Sequence, residues 1–318
     1  SPLENEARNW TKGAAAHVNG EKIYMWNILP WCRKESTFRE RRILQKETSA
    51  LCKFLKPFLL AYWEALAEIL AGEFGFKDYL DYCAEKKGTD YTYYYHLIRD
   101  ALQESDELYF DCMDRWCQKR FGRPLDGLTR FDAIRILGFT QFDGLFPKRG
   151  LDSLTGFFSA WDIDPGNLPG LTLELGREEG KSSQAMCFTL QIPEEVYILM
   201  KPEGGWIDLE TLWHELGHGL SAVFTSPQLT MVERDMATTF TLSEAFAFLN
   251  QNLTLSLPFL QEFLGLASET SQELYYYKIL KDLSLFRRYG AKFLAEYEMF
   301  RNGDFSDGTR YAERMARF

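Results

Sequence analysis

Half of the chain's four histidines fall within one hexapeptide, Trp213-His214-Glu215-Leu216-Gly217-His218. On an α-helix residues i and i+4 point the same way, so His214 and His218 offer two imidazole nitrogens to one point, with Glu215 one residue along. The flanks read as such a helix over residues 208–224. Asp208 can cap it, and Leu209, Leu212, Leu216, Leu220 and Phe224 form an apolar stripe that anchors it in a core. Random placement of the chain's histidines and glutamates gives roughly 0.004 such matches per chain, so chance is a poor explanation.

This is the geometry by which a helix holds zinc, with Glu215 leaning over the metal's open position as general base. A catalytic zinc takes three protein ligands and keeps a place for water, and no histidine follows His218, so a carboxylate must complete the set. The nearest downstream glutamates are Glu233 and Glu244. Glu244 lies in Thr241-Leu242-Ser243-Glu244-Ala245-Phe246-Ala247-Phe248-Leu249, a helical and otherwise apolar run where a buried charge is costly unless it meets a cation. Glu233 stands beside Arg234 in a polar stretch and reads as a solvated or ion-paired side chain. The expected metal ligands are therefore His214, His218 and Glu244, holding one Zn2+ per chain.

The rest of the sequence is mainly α. With 318 residues, 46% of them hydrophobic, the chain can bury a large core without disulfide staples. Three-to-four apolar spacing predicts helices over 36–72 (kinked or broken at Pro57), 77–87, 90–121 and 130–138. Glycines and prolines crowd residues 143–170, the best place for a junction, and split the chain into lobes of 1–145 and 146–318. Three short β-rich runs follow, at 171–175, 185–192 and 196–200, and predict a small sheet next to the zinc-binding helix. Helical spacing then returns over 208–224, 236–255, 271–301 and 307–318.

Charge and composition exclude other functions. A net charge of -10 argues against a nucleic-acid backbone or an anionic membrane as partner. The longest apolar region, 51–71, is interrupted by Lys53, Lys56, Glu64 and Glu68 and is too charged to span a bilayer. The six cysteines have no C-x-x-C pair and the opening residues no export pattern, so a reducing cytoplasm is the expected setting, although a start at Ser1 fits a piece cut from a longer chain. Gly204-Gly205 lacks the Lys-Ser/Thr of a phosphate loop, and no Gly-x-Ser-x-Gly elbow occurs. The cluster Tyr91-Thr92-Tyr93-Tyr94-Tyr95-His96 reads as packing.

The sequence resembles the thimet oligopeptidase and oligoendopeptidase F family of zinc metallopeptidases. The likeness is carried by His-Glu-Leu-Gly-His, by Ser243-Glu244-Ala245-Phe246 at about the family's spacing, by Gly180-Lys181-Ser182-Ser183-Gln184-Ala185-Met186-Cys187-Phe188, and by Arg287-Arg288-Tyr289-Gly290-Ala291-Lys292 with Glu296-Tyr297-Glu298. It covers roughly residues 170–300. It implies a helical, zincin-like metallopeptidase of two lobes, the second being catalytic, whose channel admits short unstructured peptides. It also implies that the strand at 185–190 pairs with an extended substrate. Family members supply tyrosines and a histidine to the oxyanion beyond the third ligand. Here only 74 residues follow Glu244 and none is His. That role falls to Tyr275, Tyr276, Tyr277, Arg288, Tyr289 or Tyr297, of which Tyr289 is the choice, although a packed aromatic or solvated cation is the commoner use of each. Two rival readings keep the residues but not the role: a zinc hydrolase of non-peptide amides, and a helical peptide-binding or scaffold protein without catalysis. Oligomeric state is not legible.

Overall fold

A computed structural model describes residues 2–33, 36–146, 150–176, 185–236, 239–305 and 309–317. They group into two units, Ser1–Leu137 with Ile279–Phe318, and Gly138–Lys278. The first unit opens with α1 (Pro2–Gly13), a hairpin of β1 (Ala15–Val18) and β2 (Glu21–Tyr24), and α2 (Ile28–Arg33). The sequence reading assigned no element here, yet the signal exists. Asn19 and Gly20 take φ of 51° and 88° between strands that bury Ala16, Val18 and Ile23, the pattern of a tight Asn-Gly turn.

Thr37 and Glu40 start α3 (Phe38–Gly72) with reciprocal side-chain to backbone bonds. Contrary to expectation, α3 runs unbroken through Pro57. Both Pro57 and Lys53, whose carbonyl loses its partner, are exposed, so water can replace the missing bond. After α4 (Tyr79–Lys87), the single helix expected over 90–121 is two, α5 (Tyr91–Glu104) and α6 (Asp106–Phe121). The break has a tertiary cause. Arg287 donates to the Leu102 carbonyl at 2.7 Å, which an unbroken helix would give to residue 106, and to Ser105 Oγ at 2.7 Å. In α7 (Arg130–Ile136), Asp132 is fully buried, accepts from Arg41 Nε at 2.6 Å and bonds back to Thr129.

The second unit holds α8 (Gly150–Phe158), which lies inside the stretch read as a junction, and a three-stranded sheet of β3 (Leu171–Glu174), β4 (Met186–Gln191) and β5 (Glu195–Leu199). β5 is central, parallel to β3 and antiparallel to β4, and the three strands match the three β-rich runs. Then come α9 (Trp206–Val223), α10 (Met231–Asp235), α11 (Thr241–Leu253), α12 (Ser268–Asn302) and α13 (Thr309–Arg317). α12 begins in the second unit and ends in the first. The grouping thus differs from the expected lobes of 1–145 and 146–318: periodicity marks a helix but does not say which core it joins. Among the described residues no helix is long and apolar enough to cross a membrane.

Removing one partner of a buried ion pair leaves the other uncompensated. Asp132→Ala is therefore expected to cost about 3–5 kcal/mol in urea unfolding; a loss below about 1 kcal/mol would show that the pair contributes little.

Candidate metal centre

The site is made by two helices that cross unusually closely. A Cβ on Gly217 would stand 2.5 Å from Ala247 Cα and 2.5 Å from the Phe246 carbonyl oxygen, so only glycine lets α9 meet α11 here. On another side of α9, a Cβ on Gly219 would lie 3.1 Å from the tips of Ile198 and Leu171, the layer formed by the sheet. The rotation of α9 is fixed by Trp213, fully buried with its ring centroid 4.9–5.4 Å from those of Phe157, Phe259 and Phe158. The predicted stripe of Leu209, Leu212, Leu216 and Leu220 is buried, but Phe224 falls beyond the helix and is exposed. The cap also differs from expectation. Asp208 accepts from the amides of Glu203 and Gly204, and the first amide of α9, Trp206 N–H, donates to Asp143 at 3.3 Å. Gly205 must be glycine on both counts, with φ of 96° and Asp143 Oδ1 2.4 Å from where its Cβ would be.

So held, α9 aims His214 and His218 at the first turn of α11, where Glu244 sits. The imidazoles stand with centroids 4.9 Å apart and planes at 85°. Glu244 Oε2 is 3.6 Å from His214 Nε2, and Oε1 is 3.9 Å from His218 Nε2. One donor atom from each of the three lies within 4.8 Å of the others, and among the described residues no other His, Cys, Asp and Glu group of three or more is this close. A tetrahedral zinc with bonds of about 2.0–2.1 Å sets its ligand atoms roughly 3.3 Å apart, so small side-chain adjustments fit the set to that ion. Burial, then the neighbouring His214, holds the His218 pKa below the usual histidine value and favours the neutral ring that a metal requires. The Glu244 side chain is about half exposed, at 45%, and Leu242, Phe246, Phe248 and Leu249 are exposed too, so the expected apolar burial of this carboxylate is corrected.

Each imidazole is tied at its other nitrogen. His214 Nδ1 meets Gln251 Oε1 at 2.7 Å, and Gln251 Nε2 donates to Glu210 Oε1 at 3.1 Å. His218 Nδ1 meets Ser243 Oγ at 2.7 Å. Sequence reading missed these three partners. One turn past Glu244 stands Phe248, whose ring packs edge-on against His214 at 5.2 Å. Two turns on, at position +7, the helix again shows the same face, and that residue is Gln251. Glu215 Oε2 accepts from the Cys187 amide of β4 at 2.6 Å. Burial, then the Glu215 charge, pushes the Cys187 thiol up to about 12, so it stays protonated and is a poor ligand. Glu233 caps α10, accepting from Thr230 N at 2.9 Å and Oγ1 at 2.8 Å, bonds that lower its pKa. Residues 180–184 of the glycine-lysine segment lie outside the described residues.

The three ligand candidates and Glu215 belong to the second unit; Tyr289 belongs to the first, on an exposed part of α12 with the Arg288 guanidinium 5.8 Å from its ring. Two of the other tyrosines have packing roles: Tyr277 is buried against Phe139 and Phe142 and donates to Glu273, and Tyr297 stacks on Tyr95 at 4.5 Å.

The sequence matches no protein-family model and no curated protein. Solved structures do match. Over 99% of this chain, a Bacillus anthracis protein assigned as oligoendopeptidase F superposes with a TM-score of 0.65 at 17% identity. The fold is that of oligoendopeptidase F. PZ peptidase A with an inhibitor follows at 0.60 and 17% over 99% of the chain, and a further protein assigned as oligoendopeptidase F at 0.59 and 18% over 98%. The chain spans 58%, 56% and 55% of their respective lengths. The mainly helical oligoendopeptidase F fold with a small sheet is thus the one the motifs implied.

At Gly217 a methyl group meets backbone, whereas at Gly219 it meets flexible side-chain ends. Gly217→Ala is expected to cost about 1–3 kcal/mol or more, well beyond Gly219→Ala, in parallel thermal unfolding; equal losses would mean that the helix crossing is not the tight point.

Proposed function

We propose that the chain is a zinc-dependent peptidase of short peptides, with one Zn2+ held by His214, His218 and Glu244. The observation that carries this is the convergence of two Nε2 atoms and one carboxylate within 4.8 Å, with Glu215 on the same helix as the histidines. Its structural neighbours are peptidases by name, which supports the same reading. When bound, zinc supplies a Lewis acid that polarises the scissile carbonyl and makes water acidic near neutral pH.

The chain's own residues do the rest. The Nδ1 bonds to Gln251 and Ser243 turn both Nε2 atoms toward Glu244. Glu215 takes a proton from the attacking water and delivers it to the departing amine. One of its oxygens is already anchored on the Cys187 amide, which leaves the other for the proton. Among the described residues β4 is one of the two edge strands of its sheet, and its main chain can pair with an extended peptide so that the scissile bond lies near Glu215. Tyr289 is the proposed oxyanion donor on sequence grounds, and Tyr289→Phe is expected to lower kcat without changing zinc content; an unchanged kcat removes it from the reaction.

The test is metal analysis with cleavage of quenched-fluorescent peptides. One zinc per chain, with cleavage abolished by a chelator and restored by zinc, is expected. Glu215→Gln should retain zinc and lose about 100-fold or more in kcat. Glu244→Ala should weaken zinc binding by more than about 100-fold, beyond what loss of an outer partner costs, with Glu233→Ala near wild type. Normal turnover by Glu215→Gln would refute the mechanism, and the reverse order of the two alanine variants would move the third ligand.

A further inference from the structure

Glu210 and His214 stand one turn apart on α9, and Gln251 of α11 bridges them. The Glu210 residue is 8% exposed, an uncommon place for a carboxylate four residues before a metal-ligand candidate. An amide has two unlike ends, an acceptor oxygen and a donor nitrogen. A carboxylate accepts only, so Glu210 takes the Gln251 NH2 and leaves Oε1 as the end presented to His214. An acceptor at Nδ1 in turn requires the proton of the neutral imidazole to be on Nδ1. Nε2 then carries the lone pair that faces Glu244 at 3.6 Å.

We infer that Glu210 acts through Gln251 as a tautomer lock on His214, and that these two positioning residues set the imidazole's readiness to bind the metal. Without Glu210 the amide is free to rotate by half a turn and offer NH2 to Nδ1. That orientation favours the Nε2–H tautomer, which has no lone pair for a metal at that nitrogen. His218 has no such polarity imposed, because Ser243 Oγ can donate or accept. The two histidines therefore differ: His214 is set by a carboxylate two bonds away through an amide, and His218 by a rotatable hydroxyl. The metal consequence rests on the zinc reading above, but the tautomer does not.

The chain's four histidines make the test tractable by long-range proton–nitrogen NMR of the imidazoles in metal-free protein at a pH where they are neutral. The wild-type His214 is expected as the Nδ1–H tautomer. Gln251→Leu and Glu210→Leu should each raise its Nε2–H share and weaken zinc binding about 10–100-fold. The double variant Glu210→Gln with Gln251→Glu reverses the polarity of the bridge while keeping an acceptor on Nδ1, so it should restore the Nδ1–H form and most of the affinity. That rescue also separates the lock from a general loss of packing. An unchanged His214 tautomer in both leucine variants, or a double variant no better than Gln251→Leu, would overturn the inference. Should the wild-type chain take up no zinc, the zinc reading fails while the tautomer comparison still decides the lock.

Discussion

The close crossing of α9 and α11 at Gly217 is the constraint on which the rest of the site depends. Backbone touches where a Cβ would stand, and this brings the first turn of α11 within reach of two histidine side chains one helical turn apart. With any side chain at that point the helices would separate, and the Glu244 carboxylate, the Ser243 hydroxyl and the Gln251 amide would withdraw together, since all three ride on α11. A single missing Cβ thus sets both the geometry of the candidate ligands and the bonds that orient them.

The other surfaces of α9 explain why the crossing holds. Trp213 is enclosed by rings from α8 and by Phe259, and Gly219 lets the sheet's Ile198 and Leu171 approach. The helix is thereby fixed in rotation as well as position, which matters because a rotation of α9 would move His214 and His218 off Glu244 together. Polar residues on such a packed frame are held by few, specific bonds. Glu215 has one to the Cys187 amide, and each imidazole has one at Nδ1.

Much of this was legible in the sequence because it follows from local rules. The i, i+4 spacing of His214 and His218, the leucine stripe of α9 and the three β-rich runs need only periodicity, whereas Glu244 meets the histidines without the apolar burial that singled it out from Glu233. What escaped it was set by residues distant in the chain. Arg287 divides α5 from α6 by taking a carbonyl, Asp143 caps α9 in place of Asp208, and α12 passes from one unit to the other. Gln251 is hard to find for a different reason: it lies seven residues past Glu244, where the helix shows the same face only after two turns. The Asn19-Gly20 turn, by contrast, is a local signal, with both residues at positive φ between two short strands.

In the proposed site two imidazoles of α9 and one carboxylate of α11 hold a zinc ion. X-ray absorption at the zinc edge of the reconstituted protein tests this most directly. One zinc per chain is expected, with only nitrogen and oxygen neighbours at about 2.0–2.1 Å, two of them imidazole. A sulfur neighbour at about 2.3 Å, or a spectrum unchanged when Glu244 is replaced by alanine, would contradict it.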